Sequence, residues 1–212
     1  MKKMHVKLVF IEPVLGTAPN NKDLYTEFIA SKAPDAASKA EEIEAIGADA
    51  VEEKGMTVFP RDENGQPIIW NHQVKGFFKE ACSMLKYMKG EKCSKESCKL
   101  KAHKKIIDGC IEPVAADGIS RDFVLKRKNP KEPIAIIQRP LRGQTAQGER
   151  IALASSEQLP AGTTVEFWVR CPDGYVDAVR EWLNYGKFHG MLQWRNAGNG
   201  RFNWLDLGVE DI

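Results

Sequence analysis

An apolar stripe with the period of an α-helix is the feature of this sequence that most constrains its fold. The stripe follows Asn71, which we expect at the N-cap, and its side chains recur at positions i, i+3, i+4 and i+7 over about five turns. A shorter stripe follows Asp173, which we expect to cap a second helix. Both stripes require an apolar surface to pack against. Their members are Val74, Phe77, Phe78, Ala81, Cys82, Leu85 and Met88 in the first, and Val176, Val179, Trp182 and Leu183 in the second.

Short segments rich in β-branched and aromatic residues predict strands that supply this surface. They are His5–Ile11, Ile111–Val114, Phe123–Leu125, Ile134–Ile137, Ile151–Leu153, Thr163–Arg170 and Arg201–Leu207. The turn Leu159-Pro160-Ala161-Gly162-Thr163 predicts a hairpin between two of them. The order of strands and helices predicts an α+β fold with a ferredoxin-like β-α-β-β-α-β core and insertions.

The charge is distributed unevenly along the 212 residues. Residues 22–63 carry eleven acidic and five basic side chains, whereas residues 64–150 carry eighteen basic and nine acidic ones. This asymmetry indicates a directional electrostatic surface, and the alternative is that the lysines only solvate surface helices. The length favours one domain over residues 1–212, with an acidic insert at about 20–55, including short helices at 22–31 and 36–46, and a basic insert at about 89–131.

Several classes of protein are disfavoured by composition. No run of about 18 apolar residues and no signal-peptide pattern is present, so we expect no membrane span and a cytoplasmic location. Five unevenly spaced cysteines favour reduced thiols over a disulfide framework. The group Cys93, Cys98, His103 and Cys110 could ligate zinc, but its spacing matches no standard finger and free thiols are the preferred interpretation. We expect no metal and no cofactor.

The glycine-rich loop, residues Gly186–Phe202, carries the strongest functional signal. Its glycines permit backbone angles closed to other residues and let a second backbone come close. Its arginines offer guanidinium forks and its tryptophan a stacking surface, which are groups that phosphates and unpaired bases require. The alternative is an ordinary helix-to-strand connection with the tryptophan packed in the core. The candidate contacts are Trp194, Arg195, Asn196 and Arg201.

A second polar segment, residues 139–150, is predicted to be a loop. It combines three arginines and two glutamines with little apolar anchoring, as expected of a loop that contacts phosphates or bases. A solvated loop in which Glu149 neutralises an arginine explains the composition equally well. The candidate contacts are Arg139, Arg142, Gln144, Gln147 and Arg150.

The opening of the first helix is a third candidate, because the first amides of a helix lack partners and attract anions. Lys75 and Lys79 lie one turn apart there and could flank a nucleic-acid backbone. Gly76 costs about 1 kcal/mol relative to alanine inside a helix, which suggests close backbone approach at that position. The alternative is an ordinary core helix whose lysines lie on its solvent-exposed side.

Catalytic signals are weak in comparison. The sequence lacks a nucleophile elbow, a Walker loop and a paired-carboxylate motif. Only His189, inside the glycine-rich loop, and His72, at the helix opening, are candidates for a general acid or base. A non-catalytic role is favoured.

Taken in chain order, these segments resemble the RAMP superfamily, whose members build and process CRISPR effector complexes. Glu12–Gly16 is similar to the Pro/Leu/Gly element after the first strand, and Gln66–Lys79 is similar to the helix opening that ends in Lys-Gly. Leu159–Phe167 resembles the hairpin with a Pro-x-Gly-Thr turn, and Gly190–Phe202 resembles the terminal glycine-rich loop that runs into Gly-Arg-Phe. The likeness spans most of the chain.

The resemblance implies an RRM-type ferredoxin-like fold that grips single-stranded RNA or DNA. It also implies protomers that stack along the strand or bind other effector-complex subunits, with contacts at Lys75, Arg142, Trp194, Arg195 and Arg201. The helix opening departs from the family, because Asn71-His72-Gln73-Val74 stands where serines are usual. This departure, the acidic insert and the Arg-Gly-Gln loop favour a divergent relative carried by a phage or prophage. Two alternatives stay open: a metal-independent endoribonuclease using His189 or His72, and a protein-interaction or virion-associated protein without nucleic acid.

Overall fold

The computed structural model describes residues 1–20, 56–88, 95–145 and 148–212. The two helices expected in the acidic insert lie outside these ranges, as do Cys93 and Gln147. The chain divides into two compact units. The first comprises Met1–Val14, Pro60–Glu132 and Leu159–Ile212, and the second comprises Leu15–Phe59 and Pro133–Gln158.

The described residues form a mixture of strands and helices, which confirms the α+β class. In chain order the elements are β1 Lys2–Phe10, β2 Val14–Leu15, β3 Ala18–Pro19, β4 Thr57–Val58, β5 Ile68–Trp70, α1 Asn71–Tyr87, α2 Lys95–Lys99, α3 His103–Cys110, β6 Glu112–Val114, β7 Asp122–Val124, β8 Ala135–Thr145, β9 Gly148–Leu159, β10 Thr164–Cys171, a 3₁₀ turn Asp173–Tyr175, α4 Val176–Tyr185, a 3₁₀ turn Arg195–Ala197 and β11 Phe202–Asp211. No helix in this described part of the chain is long and apolar enough to cross a membrane.

A four-stranded sheet forms the centre of the first unit. Its strand order is β11-β1-β10-β6, and every neighbouring pair is antiparallel. Burial alternates along β1 and β10, so alternate side chains of both strands are buried, as expected for a sheet with one covered face. The buried set is Met4, Val6, Leu8, Phe10, Val165, Phe167, Val169 and Cys171.

The helices α1 and α4 cover the buried face of this sheet. The Phe77 ring of α1 lies 5.2 Å from the Phe202 ring of β11, and the Phe78 ring lies 5.5 Å from that of Trp182 in α4, both measured between centroids. The buried positions of α1 include Val74, Ala81 and Cys82, as the apolar stripe predicts. Both amphipathic helices and the first and last strands are therefore confirmed.

The expected helix caps are wrong in both cases. Asn71 is the first helical residue of α1, and the backbone N–H of the N-cap residue Trp70 donates to the Gln73 side chain at 2.8 Å. Asp173 begins the 3₁₀ turn that precedes α4, and its carboxylate lies 3.3 Å from the Met1 amino group. A polar residue before an apolar stripe thus locates a helix only to within a few residues.

The second unit is built around a long hairpin. Strands β8 and β9 pair antiparallel from Ala135↔Gln158 to Thr145↔Gly148, and β9 also pairs with β2 and with β4, which in turn pairs with β3. The polar loop predicted at residues 139–150 is therefore wrong for its described part, which belongs to the two strands. Pairing between the two strands runs through the backbone and does not depend on apolar side chains, so a polar sequence still forms a ladder.

The predicted hairpin around Pro160 is also wrong. Strand β9 belongs to the sheet with β8, whereas β10 belongs to the sheet with β1. The turn is fixed instead to the end of β1, because the Gly162 N–H donates to the Phe10 carbonyl at 2.7 Å and the Phe10 N–H donates to the Thr163 carbonyl at 2.9 Å. The Pro-x-Gly-Thr element is a connection between sheets.

Candidate nucleic-acid interface

The glycine-rich loop closes on itself through backbone contacts. The Met191 N–H donates to the Gly200 carbonyl at 3.0 Å, and the Gly200 N–H donates to the Pro13 carbonyl at 2.8 Å. Gly190 and Gly200 have φ values of 73° and 72°. An added Cβ at Gly190 would lie 2.5 Å from the carbonyl carbon of Gly200, and one at Gly200 would overlap the Met191 carbonyl. Only glycine fits either position.

The tip of the glycine-rich loop presents one aromatic side chain to solvent. Leu192 and Trp194 both have positive φ, at 67° and 54°. This conformation is costly for residues with a side chain, so the surrounding contacts must stabilise it. Trp194 is 40% exposed and precedes the 3₁₀ turn that contains Asn196, which is also exposed. The alternative in which Trp194 packs in the core is wrong.

The Glu80 carboxylate of α1 binds two residues of the glycine-rich loop. The Arg195 guanidinium donates to one carboxylate oxygen, and the His189 Nε2 lies 2.8 Å from the other. A carboxylate accepts, so the ring donates its Nε2–H to Glu80, and burial lowers the pKa of His189 below its usual 6.5. The predicted contact Arg195 and the predicted acid–base candidate His189 therefore both hold the loop against α1.

Arg201 is held in a similar way at the end of the glycine-rich loop. Its Nη2 donates to Glu12 Oε1 at 2.7 Å, while its buried Nε has no protein partner. The acids Glu80 and Glu12 were not predicted as parts of the site. Glu12 stands at the start of the Pro/Leu/Gly element noted in the sequence, whereas nothing in the sequence pairs Glu80 with a residue more than one hundred positions away.

The lysines of α1 are bound to the neighbouring helix α3. Lys75 Nζ donates to the Asp108 carbonyl at 3.0 Å, and Lys79 Nζ lies 2.5 Å from an Asp108 carboxylate oxygen. Neither lysine is buried. Gly76 lies between them on an open surface, where an added Cβ would meet nothing within 4 Å. Within the described residues no backbone comes close to Gly76, so the close backbone approach expected there stays a prediction about a bound molecule.

The arginine and glutamine candidates lie in the second unit. Arg139, Arg142 and Gln144 are on β8 and Arg150 is on β9, and the pair Arg142↔Ile151 is one residue from Gly143↔Arg150 in the ladder. Burial lowers the pKa of Arg139 below its usual value. These candidates therefore lie on two paired strands of the second unit, and the candidates of α1 and the glycine-rich loop belong to the first unit.

The proposed zinc residues do not converge in the described part of the chain, which contains no cluster of metal-ligating side chains. His103 Nε2 lies 2.9 Å from Ser83 Oγ, and Cys110 is an exposed free thiol. Cys98 is disulfide-bonded, so the expectation of reduced thiols is wrong at that position. Cys82 and Cys171 are free and buried, and burial raises the pKa of Cys171 to about 11.

No protein-family model and no curated protein matches this sequence. The fold is similar to that of a chain in the cryo-EM structure of the Type III-B Cmr-beta bound to cognate target RNA, with a TM-score of 0.52 and 11% sequence identity. The similarity covers 98% of this chain and 61% of the other, so this chain spans less than two thirds of that length. At this identity the likeness extends to the fold alone, which is a mixed α+β fold found in an RNA-bound assembly.

Proposed function

We propose that this protein binds single-stranded nucleic acid, with RNA as the first polymer to test and single-stranded DNA as the second. The observation that carries the proposal is the fold similarity along 98% of the chain to a chain of an RNA-bound complex. The similarity agrees with the RAMP resemblance noted in the sequence, which rests on separate information, namely the order of four short motifs.

The architecture of the first unit supports a ferredoxin-like core. Without the insertions its elements run β1, α1, β6, β10, α4 and β11, which is the order β-α-β-β-α-β. The strand order β11-β1-β10-β6 with antiparallel neighbours places the first and third strands at the centre of the sheet. We interpret the chain as one RAMP-like domain with inserts at about 20–55 and 89–131. The second segment contains the core strand β6, so only the rest of it is an addition to the core.

The glycine-rich loop supports the proposal as a preformed surface. Trp194 and Asn196 are exposed at its tip, while the backbone contacts of Gly190 and Gly200 fix the tip in place. A guanidinium group has five N–H donors, so pairing with one acid leaves Arg195 and Arg201 able to bind a phosphate as well. A surface that is ordered before binding loses less entropy when it binds.

The partners expected from the resemblance belong to the same proposal. The protein would associate with further copies along the strand or with other effector-complex subunits, in the cytoplasm, as a divergent relative of phage or prophage origin. The endoribonuclease alternative gains no support from a specific contact, because Glu80 binds the Nε2 atom of His189 and the His72 ring stacks on Trp70 at 5.3 Å. We therefore propose a binding protein without catalytic activity.

The proposal is tested by fluorescence anisotropy with labelled single-stranded RNA and DNA of one sequence over a series of salt concentrations. We expect binding that weakens steeply with salt, because phosphate contacts release counterions. Replacing Lys75 and Lys79 by alanine should weaken binding about tenfold, as should replacing Arg195 and Arg201. The control Lys99→Ala/Lys101→Ala removes the same charge from exposed lysines elsewhere.

Absence of binding to both polymers at low salt would refute the proposed function and favour a protein-interaction or virion-associated role. A gel of the same RNA after incubation tests cleavage. Cleavage that is lost in His189→Ala but unaffected by a chelator would establish the endoribonuclease instead.

A further inference from the structure

The face of the central sheet that α1 and α4 leave uncovered carries an aromatic stack. His5 of β1 and Trp168 of β10 are register partners, and their rings lie parallel at 4.0 Å between centroids with 10° between planes. The Lys3 ammonium lies 5.4 Å from the centroid of the Trp168 ring, and Lys3 is opposite Arg170 in the register. None of these four side chains is fully buried.

The stack lies beside a cleft of about 900 Å³ at one end of the sheet, which we call the basic cleft. Its charged side chains are four basic and two acidic. They are Lys3, Lys75, Arg121, Arg170, Asp108 and Glu112. Lys3 and Arg170 belong both to the basic cleft and to the sheet face, so the stack and the cleft form one continuous surface. The remaining lining includes Cys110, Ile111 and the chain ends Met1 and Ile212.

The acids of the basic cleft only partly neutralise its cations. Glu112 is shared between Arg121 and Arg170, at 3.3 Å and 3.7 Å respectively, and the Arg170 guanidinium also donates to the Gly118 carbonyl. Lys75 donates to a carbonyl group rather than to a carboxylate. The cleft therefore keeps an excess of positive charge, and Arg121, whose side chain is 66% exposed, extends to solvent.

We propose that the basic cleft is the path of the nucleic acid on the first unit, with phosphates on Lys3, Lys75 and Arg121 and one unpaired base added to the His5–Trp168 stack. This inference rests on the proposed function and assigns it a site that the sequence did not predict. A groove that combines cations for the backbone with aromatic rings for bases is the general solution for single-stranded nucleic acids. Of the predicted contacts of α1, Lys75 is the one that lines this groove.

The first test uses Lys3→Gln/Arg121→Gln, two exposed or half-exposed side chains whose loss leaves Lys75 and the glycine-rich loop intact. Two fewer phosphate contacts should lower the slope of log affinity against log salt by about 1.4 for a single strand, with about tenfold weaker binding near physiological salt. The matched control Lys99→Gln/Lys101→Gln removes the same charge outside the basic cleft and should bind like the wild type. Trp168→Ala should also bind about tenfold more weakly.

Because Trp168→Ala could also perturb folding, photo-crosslinking of the wild type with RNA containing 4-thiouridine supplies a second measurement. We expect crosslinked peptides that contain Trp168 or His5. The wild type could bind RNA with crosslinks confined to residues 187–202, and the double variant could keep the same salt slope. This combination would overturn the basic cleft as the binding path and leave the proposed function standing. Absence of binding by the wild type would overturn both.

Discussion

The glycine-rich loop and the basic cleft both present cations on the first unit, but they hold them differently. In the loop each arginine is bound to a carboxylate, Arg195 to Glu80 and Arg201 to Glu12. In the cleft two arginines share one carboxylate, and Lys75 is bound to a carbonyl. Substitutions in the loop should therefore lower stability as well as affinity, whereas substitutions in the cleft should change mainly affinity.

The largest effect is expected at Gly200. Gly200→Ala places a methyl group against the Met191 carbonyl at a φ of 72°. The backbone hydrogen bonds that close the glycine-rich loop must therefore open. We expect a loss of at least about 3 kcal/mol in the free energy of unfolding, measured by urea denaturation. The control Gly174→Ala, where an added Cβ meets nothing within 4 Å, should cost less than about 1 kcal/mol. Equal stability of the two variants would contradict the claim that the backbone contacts at Gly200 stabilise the loop.

The next effect separates a structural role of Arg195 from a binding role. Glu80→Gln removes the charge that Arg195 and His189 share, and the side chains involved are about one-third exposed or less. We expect a loss of about 1–2 kcal/mol in stability, which is the cost of weakening charged hydrogen bonds in a partly solvated place.

The affinity of the Glu80→Gln variant for single-stranded RNA sharpens this result. Unchanged or tighter binding, with weaker binding in Arg195→Ala, would show that Arg195 also contacts the phosphate, because removing its acid leaves more of its donors available. If Arg195→Ala loses stability but binds RNA normally after correction for the folded fraction, Arg195 is purely structural.

The parts of the fold that the sequence predicted are those with a strong periodic signal. The stripe from Val74 to Met88 predicts α1, and the alternation in β1 follows from a sheet with one covered face. The sequence of residues 139–150 predicts a loop, although its described part lies in β8 and β9, because pairing through the backbone gives no pattern in a sequence of arginines, glutamines and glycines. Similarly, the sequence predicts the turn at Pro160, but its two flanking strands belong to different sheets. The sheet to which a strand belongs depends on pairing with residues far along the chain, so the local sequence does not reveal it.

The same division applies to the site. Glycine spacing located the loop, and an exposed Trp194 agrees with that interpretation. The pairs Arg195–Glu80 and Arg201–Glu12 join residues 115 and 189 positions apart, so no local pattern reveals them. The basic cleft was missed for a related reason. Lys3, His5, Trp168 and Arg170 are ordinary strand residues until the register of β1 and β10 brings them together.

A smaller effect of opposite sign is expected at Gly76. The position is helical and open, so Gly76→Ala should raise stability by about 1 kcal/mol, measured by the same urea titration. If a nucleic-acid backbone passes between Lys75 and Lys79, the methyl group will weaken RNA binding despite the greater stability. A variant that is more stable and binds RNA as well as the wild type would show that the strand does not cross this turn of α1.

The smallest effect is a pH dependence that belongs to the glycine-rich loop. Burial lowers the pKa of His189 below 6.5, so the unfolded chain binds a proton at a higher pH than the folded one. Stability should therefore fall as the pH is lowered from about 6.5 towards the folded pKa, and His189→Gln should flatten this part of the profile. His103, whose pKa is also lowered by burial, contributes with the same sign, so His103→Gln is the matched comparison. If only His103→Gln changes the slope, the hydrogen bond to Glu80 offsets the burial of His189, and the pair stabilises the loop equally well in both protonation states.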